Sequence, residues 1–301
     1  MTAVSETRSA APAPALDRPR FNINWNWLGV LPFFFFVVMF IVLPSLTLFT
    51  GSLFDQDGQF TLDNIRGLAT PYILNAYRVS LELSLFTAVL GGTIGFLLAA
   101  ALTLGGLPRG IRVALMTYCG LAANFGGVPL AFSFIATIGR TGFITALISS
   151  VLGIDLYRQG FTLYGFAGLS LTYLYFQLPL TILIIAPALA NMKREWREAS
   201  ANLGATAWQY WRHIGLPILL PSLLGTMILL FGNAFGAYAT AQALTGGTIN
   251  LVTIVVGAQI RGDVLGNPGL GYALVLGMVV IMALSIGLYS ILQRRTEKWL
   301  R

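Results

Sequence analysis

Six long apolar stretches, separated by shorter polar ones, dominate the 301-residue chain. They run over about 28–50, 77–104, 111–138, 163–190, 217–243 and 270–292. A helix that crosses a bilayer needs about 20 mostly apolar residues, and each stretch reaches that length. The pattern predicts an all-α integral membrane protein with six transmembrane helices. Residues 1–27 are rich in Ala, Pro and Ser without apolar periodicity and read as a disordered tail. A signal peptide is the competing reading, but the apolar run that follows exceeds a signal core. Residues 28–76 then hold the first helix and its loop, 77–292 a five-helix domain, and 293–301 a second tail.

Composition strengthens the membrane reading. Hydrophobic residues make up 56% and charged residues 10%, with a mean hydropathy of +0.77, far from an ordinary soluble domain. The net charge of +7 raises nucleic acid as a partner, but the charges fall in short clusters between apolar runs, so no nucleic acid is expected. With an N-terminus inside, thirteen of the 18 Lys and Arg lie in inside segments. Both termini are therefore expected to be cytoplasmic. The outside loops are then about 51–76, 139–162 and 244–269; the second is apolar enough to lie at the interface or partly re-enter the membrane. The single Cys119 reads as a small packing residue, and the single His213 has no companion ligands, so neither a metal nor a cofactor is expected.

The charges concentrate between the fourth and fifth apolar stretches, in KREWREASANLGATAWQYWRHIGLP, Lys193 to Pro217. Good helix formers from Glu195 to Leu203 end at Gly204, a residue that tolerates a left-handed C′ conformation. Thr206 and Gln209 fit a capping box that opens a second short helix, running to about Ile214. Pro217 suits the first turn of the fifth spanning helix. Trp208, Tyr210 and Trp211 suit the headgroup region. On the first helix, Glu198, Ala201 and Ala205 fall near one face, where small residues admit another backbone. An ordinary positively charged loop with interfacial aromatics accounts for the same residues.

Glu198-Ala199-Ser200, Gly204 six residues after the Glu, and Ile214-Gly215-Leu216-Pro217 resemble the EAA loop of ABC importer permeases, with Ser200 replacing the second alanine. The resemblance runs from about residue 77 to the end. It implies that residues 77–292 form an importer permease domain, with 193–217 as the segment that rests in a cleft of a cytoplasmic ATPase. Glu198, Ala199, Ala201, Gly204 and Ala205 are the implied coupling residues. The implied partners are two cytoplasmic ATP-binding subunits, a second permease subunit (a homologous chain or a copy), an external solute-binding protein and membrane lipid. The implied location is a bacterial inner membrane.

The chain itself is expected to be no enzyme. A phosphate-binding G-x-x-x-x-G-K-[ST] loop needs a lysine after glycine, and the two lysines, Lys193 and Lys298, follow Met192 and Glu297. Energy must come from partner ATPases or an ion gradient. The one acid inside a span, Glu82, follows Arg78 by four residues and fits a same-face ion pair; binding of a cationic solute or proton is the other reading.

Candidate pathway residues cluster near glycines and prolines. They are Asn124 beside Gly126-Gly127-Val128-Pro129, which can kink a helix, then Tyr173 and Gln177 before Pro179, and Asn233, Tyr238, Thr240 and Gln242. Gly91-xxx-Gly95 and Gly232-xxx-Gly236 read as close-packing motifs. The segment FGAYATAQALTGG, with GDVLGNPGLGYALVLGMVVIM, is similar to the spermidine/putrescine branch of these permeases, whose relatives also carry phosphonate-type and ferric solutes. The rival readings are an ion-coupled secondary transporter and a membrane-anchored interaction protein.

Overall fold

The computed structural model describes residues 29–55, 58–261 and 267–298, with side chains to residue 293. The expected tail over 1–27 and the end of the one over 293–301 fall outside the described residues. The chain divides into two compact units, Met1–Leu46 and Thr47–Arg301.

Within the first unit, Pro32 opens the Leu31–Val37 helix, where its missing N–H costs no bond, and a π turn follows over Val38–Val42. Phe36 and Phe40 stack there with ring centroids 4.9 Å apart.

Among the described residues the secondary structure is helical, with one isolated bridge between Phe54 and Phe60. Six helices are long and apolar enough to cross a membrane: Leu31–Leu53, Pro71–Leu104, Gly127–Leu152, Phe166–Ala190, Ala207–Phe235 and Pro268–Gln293. The six-helix expectation holds, with three corrections to its boundaries. The second span begins at Pro71, not near 77, because Pro71 occupies the first turn after an extended Thr70.

The expected 111–138 helix is broken. Arg109–Asn124 stops where Phe125 turns extended (φ −84°, ψ 90°), and Gly127, at φ +70°, starts Gly127–Ile138. The sixteen residues of Arg109–Asn124 reach only about 24 Å, short of the ~30 Å hydrocarbon core. The candidate span Gly127–Leu152 thus consists of two helices, Gly127–Ile138 and Phe143–Leu152, with a turn at Gly139–Gly142 between them.

The expected 217–243 helix also stops early, at Phe235. Gly236 caps it, Ala237 and Tyr238 turn the chain, and Ala239–Thr245 forms a separate short helix. Tyr238, Thr240 and Gln242 therefore lie outside the fifth span.

The second and fourth spans, Pro71–Leu104 and Phe166–Ala190, make the most extensive helix pair. Lipid tails are as apolar as leucine, so no hydrophobic force drives such a pair together; close backbone packing and hydrogen bonds must do it. Gly91 and Gly95 provide the approach. A Cβ at Gly91 would lie 2.9 Å from Gln177 Oε1, and one at Gly95 only 2.5 Å from Thr181 Cβ. Thr181 donates to the Gly91 carbonyl at 3.4 Å and to the Gln177 carbonyl at 2.8 Å. The Gln177 amide nitrogen reaches the Thr87 hydroxyl (3.3 Å) and the Leu230 carbonyl (3.4 Å), tying in the fifth span. Gly232, of the second glycine pair, faces Met282 of the sixth.

Apolar clusters flank this seam. One gathers Leu83, Leu130, Leu169, Tyr173, Phe176 and Leu244. Another gathers Phe96, Ile185, Leu189, Leu219 and buried Cys119, which serves there as a packing residue. Arg78 and Glu82 form the expected ion pair at 2.8 Å.

Gly95→Leu is expected to force the second and fourth spans apart and cost about 1–3 kcal/mol. Thermal unfolding in detergent should show a clear fall in Tm. Gly120→Ala, at a helical glycine with nothing within 4 Å, should leave Tm unchanged or raise it slightly.

Candidate functional site

The Lys193–Pro217 segment folds as a helical hairpin. Arg194–Asn202 is the first helix and Leu203 its C-cap. Gly204 adopts φ +78°. Its N–H donates to the Ala201 carbonyl at 2.9 Å, and the Ala205 N–H donates to the Ser200 carbonyl at 3.0 Å. This pair of bonds is the Schellman motif, which satisfies carbonyls the helix end would leave orphaned. A side chain at 204 would meet nothing within 4 Å, so conformation, not space, calls for glycine here.

The capping box forms as the sequence predicts. Gln209 N–H donates to Thr206 Oγ1 at 3.3 Å, and Thr206 N–H donates to Gln209 Oε1 at 2.8 Å. The structure corrects two details. Ala205 follows the Gly204 turn, so it does not share a helical face with Glu198 and Ala201. The second helix does not stop near Ile214: Ala207–Tyr210 passes through a π turn, Trp211–Gly215, directly into Leu216–Phe235. The Leu216 N–H bonds the Trp211 carbonyl, five residues back. This wider turn comes just before Pro217, which has no N–H to continue the α pattern.

Glu198 accepts from Arg194 Nε at 2.8 Å along the first helix. Glu198, Ala199, Ala201 and Gly204 are exposed and Ala205 is half-buried. Two features escaped sequence reasoning. Leu203 is 88% exposed at the tip, an apolar side chain held out by the cap. Trp211 packs edge-on against Phe96 of the second span, ring centroids 6.4 Å apart, joining the hairpin to the helix bundle. Gly215 makes that possible, since a Cβ there would lie 2.7 Å from the Trp211 ring. Only the interfacial aromatics hinted at it.

Two recesses flank the hairpin. A cleft of about 620 Å³ lies between Ala100–Gly105 and residues from Met192 to Trp211. A smaller groove of about 360 Å³ runs along Trp196, Ala199, Leu203, Gln209 and Ile214.

The pathway candidates separate into two groups. Tyr173 is buried and its hydroxyl donates to the Ala237 carbonyl at 3.1 Å, pinning the end of the fifth span. Gln177 is fully buried in the three-helix knot, with Oε1 unpartnered. Thr240 is buried and clasps the break in the third apolar stretch: it accepts from the Gly127 N–H at 2.9 Å and donates to the Gly127 carbonyl at 3.2 Å. The two chain breaks, at 125–127 and 236–238, are thereby joined. Asn233 and Asn124 are exposed, Asn124 donating to the Gly120 carbonyl at 2.9 Å. Gln242 is half-buried, as is Tyr238, whose ring lies 5.3 Å beneath the Arg261 guanidinium.

Comparison with known proteins places this geometry. The chain is 28% identical over 176 residues to the thiamine transport system permease protein ThiP of Escherichia coli (strain K12), covering 58% of this chain and 32% of that protein. It thus spans about a third of that relative. It is 28% identical over 227 residues to the probable sulfate transport system permease protein cysT of Nephroselmis olivacea, covering 74% of this chain and 73% of that one. It is 26% identical over 251 residues to the putative ferric transport system permease protein FbpB 1 of Haemophilus influenzae, covering 83% and 38%. The fold is similar to a chain in the crystal structure of a bacterial ABC transporter involved in the import of the acidic polysaccharide alginate. The TM-score is 0.70 at 17% identity, over 90% of this chain and 95% of that one. The family of binding-protein-dependent transport system inner membrane components matches residues 129–298, which carry the hairpin and the last four candidate spans, and the chain belongs to that family.

Proposed function

We propose that this chain is the permease subunit of an ABC importer for a small solute, driven through the Lys193–Pro217 hairpin by ATPase subunits on separate chains. The observation that carries the reading is the hairpin's construction. Two independent caps fix the Gly204 turn, and the π turn makes the second helix continuous with the fifth span. Force applied at Glu198, Ala201 or Leu203 is then delivered to a spanning helix and not absorbed in a flexible loop. Ala199, Ala201, Gly204 and Ala205 present little side-chain bulk, which suits close approach by an ATPase surface.

The hairpin lies on the cytoplasmic side in this reading, by the excess of Lys and Arg there. Two ATP-binding subunits, a second permease chain and an external solute-binding protein complete the assembly. The alginate importer, whose structure includes a periplasmic protein bound to an alginate pentasaccharide, supports that arrangement. ATP binding would close the hairpin side while the opposite side opens.

The relatives are named for thiamine, sulfate and ferric transport, so the polyamine assignment gains no support from them. The spans favour no polycation either, since Glu82 is paired with Arg78. Selectivity then rests with the binding protein. The pathway is assigned to Asn233, Asn124, Tyr238 and Gln242, whose polar ends are not all consumed in packing; Tyr173, Gln177 and Thr240 hold the helices that frame it.

In proteoliposomes containing the assembled transporter, solute uptake should require ATP with the ATPases and persist without an ion gradient. Uptake driven by a gradient alone would overturn the proposal in favour of a secondary carrier. Gly204→Asp should abolish uptake with the chain still inserted, whereas Gly204→Ala should lose only about 1 kcal/mol of turn stability and retain partial uptake. A loss in Gly204→Ala as great as in Gly204→Asp, or greater, would mean that the glycine serves backbone conformation alone. Thr240→Val removes the clasp on Gly127 and should lower Tm, with uptake falling more than ATPase activity. Proportional losses in the two rates would sink the clasp's assigned role.

A further inference from the structure

The 620 Å³ cleft beside the hairpin is basic on one wall and apolar on the other, with Ala201 and Ala205 among its lining. Its lining includes Lys193, Arg194 and Arg197 and no Asp or Glu. Arg194 shares one nitrogen with Glu198, and the Lys193 ammonium lies 5.8 Å from the Trp196 ring centroid. For Arg197 no salt bridge occurs among the described residues. The first helix of the hairpin begins here too, with Lys193 at its N-cap and Glu195 in its first turn; Glu195 offsets the positive helix end, so the field in the cleft rests on the three basic side chains.

The opposite wall is apolar and belongs to the end of the second span: Ala100, Ala101 and Leu104. That wall continues down the helix as exposed Ile94, Leu97, Ala101 and Leu104, a three-and-four spacing that places them on one face. The second span has 34 residues, about 51 Å of helix against a hydrocarbon core of ~30 Å. Its last turn therefore reaches headgroup depth, where Tyr210 and Trp211, also lining the cleft, are suited to sit. The volume is about twenty times a water's share of liquid, more room than a lone inorganic anion needs.

We propose that this cleft seats the phosphate headgroup of an anionic membrane phospholipid, with an acyl chain lying along Ala101, Leu97 and Ile94. Lys193, Arg194 and Arg197 bind the phosphate oxygens as charge-assisted donors. The small side chains of Ala100 and Ala101 leave room for the glycerol. The lipid lies between the second span and the root of the hairpin and braces one against the other. The assignment rests on the chain's position in a bilayer and is independent of the solute carried.

The test uses the purified full chain in detergent, with native mass spectrometry reading retained lipid. Phosphatidylglycerol should be retained in preference to phosphatidylcholine of the same acyl chains. Replacing both Lys193→Gln and Arg197→Gln should weaken phosphatidylglycerol binding about twenty-five-fold, since each basic residue contributes roughly fivefold. Lys193→Arg with Arg197→Lys should retain it, as should Arg212→Gln outside the cleft. Ala101→Trp should displace the lipid with every charge in place. Equal retention of the two lipids, or wild-type retention by the double Gln variant, would overturn the proposal. So would inorganic phosphate competing at the lipid's own concentration with Ala101→Trp without effect, which would make the cleft a simple oxyanion pocket.

Discussion

Everything else in the bundle hangs on how closely the second and fourth spans approach. In hydrocarbon two helices gain little by hiding leucines from lipid, so their association depends on backbone proximity and on polar groups with no better partner. Gly91 and Gly95 let the fourth span come within contact of backbone, and Thr181 and Gln177 fill the space that side chains there would have taken. Because Gln177 also reaches Leu230, the seam organises three helices and not two. Phe96, one residue beyond Gly95, then holds Trp211. One short stretch of the second span thus places the fourth span, the fifth span and the root of the hairpin.

The same economy governs the chain breaks. Irregular backbone at membrane depth is tolerated only when its polar groups find partners within the protein. Thr240 satisfies both the N–H and the carbonyl of Gly127 with one hydroxyl, and Tyr173 bonds the Ala237 carbonyl. A side chain from each broken or adjoining segment serves the backbone of another. The Gly127 and Ala237 backbone groups are thereby satisfied within the protein, and segments far apart in sequence are coupled.

Features governed by neighbouring residues were legible in the sequence. Gly204, Thr206 and Gln209 were readable because a Schellman turn and a capping box depend on residues within a few positions of each other. The Gly-Gly-x-Pro run announced the break at Phe125 for the same reason, although hydropathy alone ran straight through it. The stop at Phe235 was not readable: Gly236-Ala237-Tyr238 has no proline, stays apolar, and is held by Tyr173 from another helix. The π turn was hidden because Pro217 looked like a beginning, not a proline inside a continuing helix. Gln177 and Thr240 were rightly noticed as polar residues among apolar ones. Their partners lie 53 to 113 residues away, and no local pattern could distinguish a brace from a solute contact. Leu203 passed unnoticed because its exposure follows from the direction in which the helix ends.

The uninterrupted helical run from Ala207 to Phe235 has a mechanical meaning. At 29 residues it is a rod of about 43 Å, long compared with any displacement at its base. A tilt of about 5° at the hairpin would carry the far tip through nearly 4 Å, about the width of a methylene chain. The rod ends beside Ala237, Tyr238 and the Thr240 clasp, where the chain changes direction. A small rotation at one end of this rod would therefore be magnified into sideways travel at the other, with no need for the helix to bend or slide.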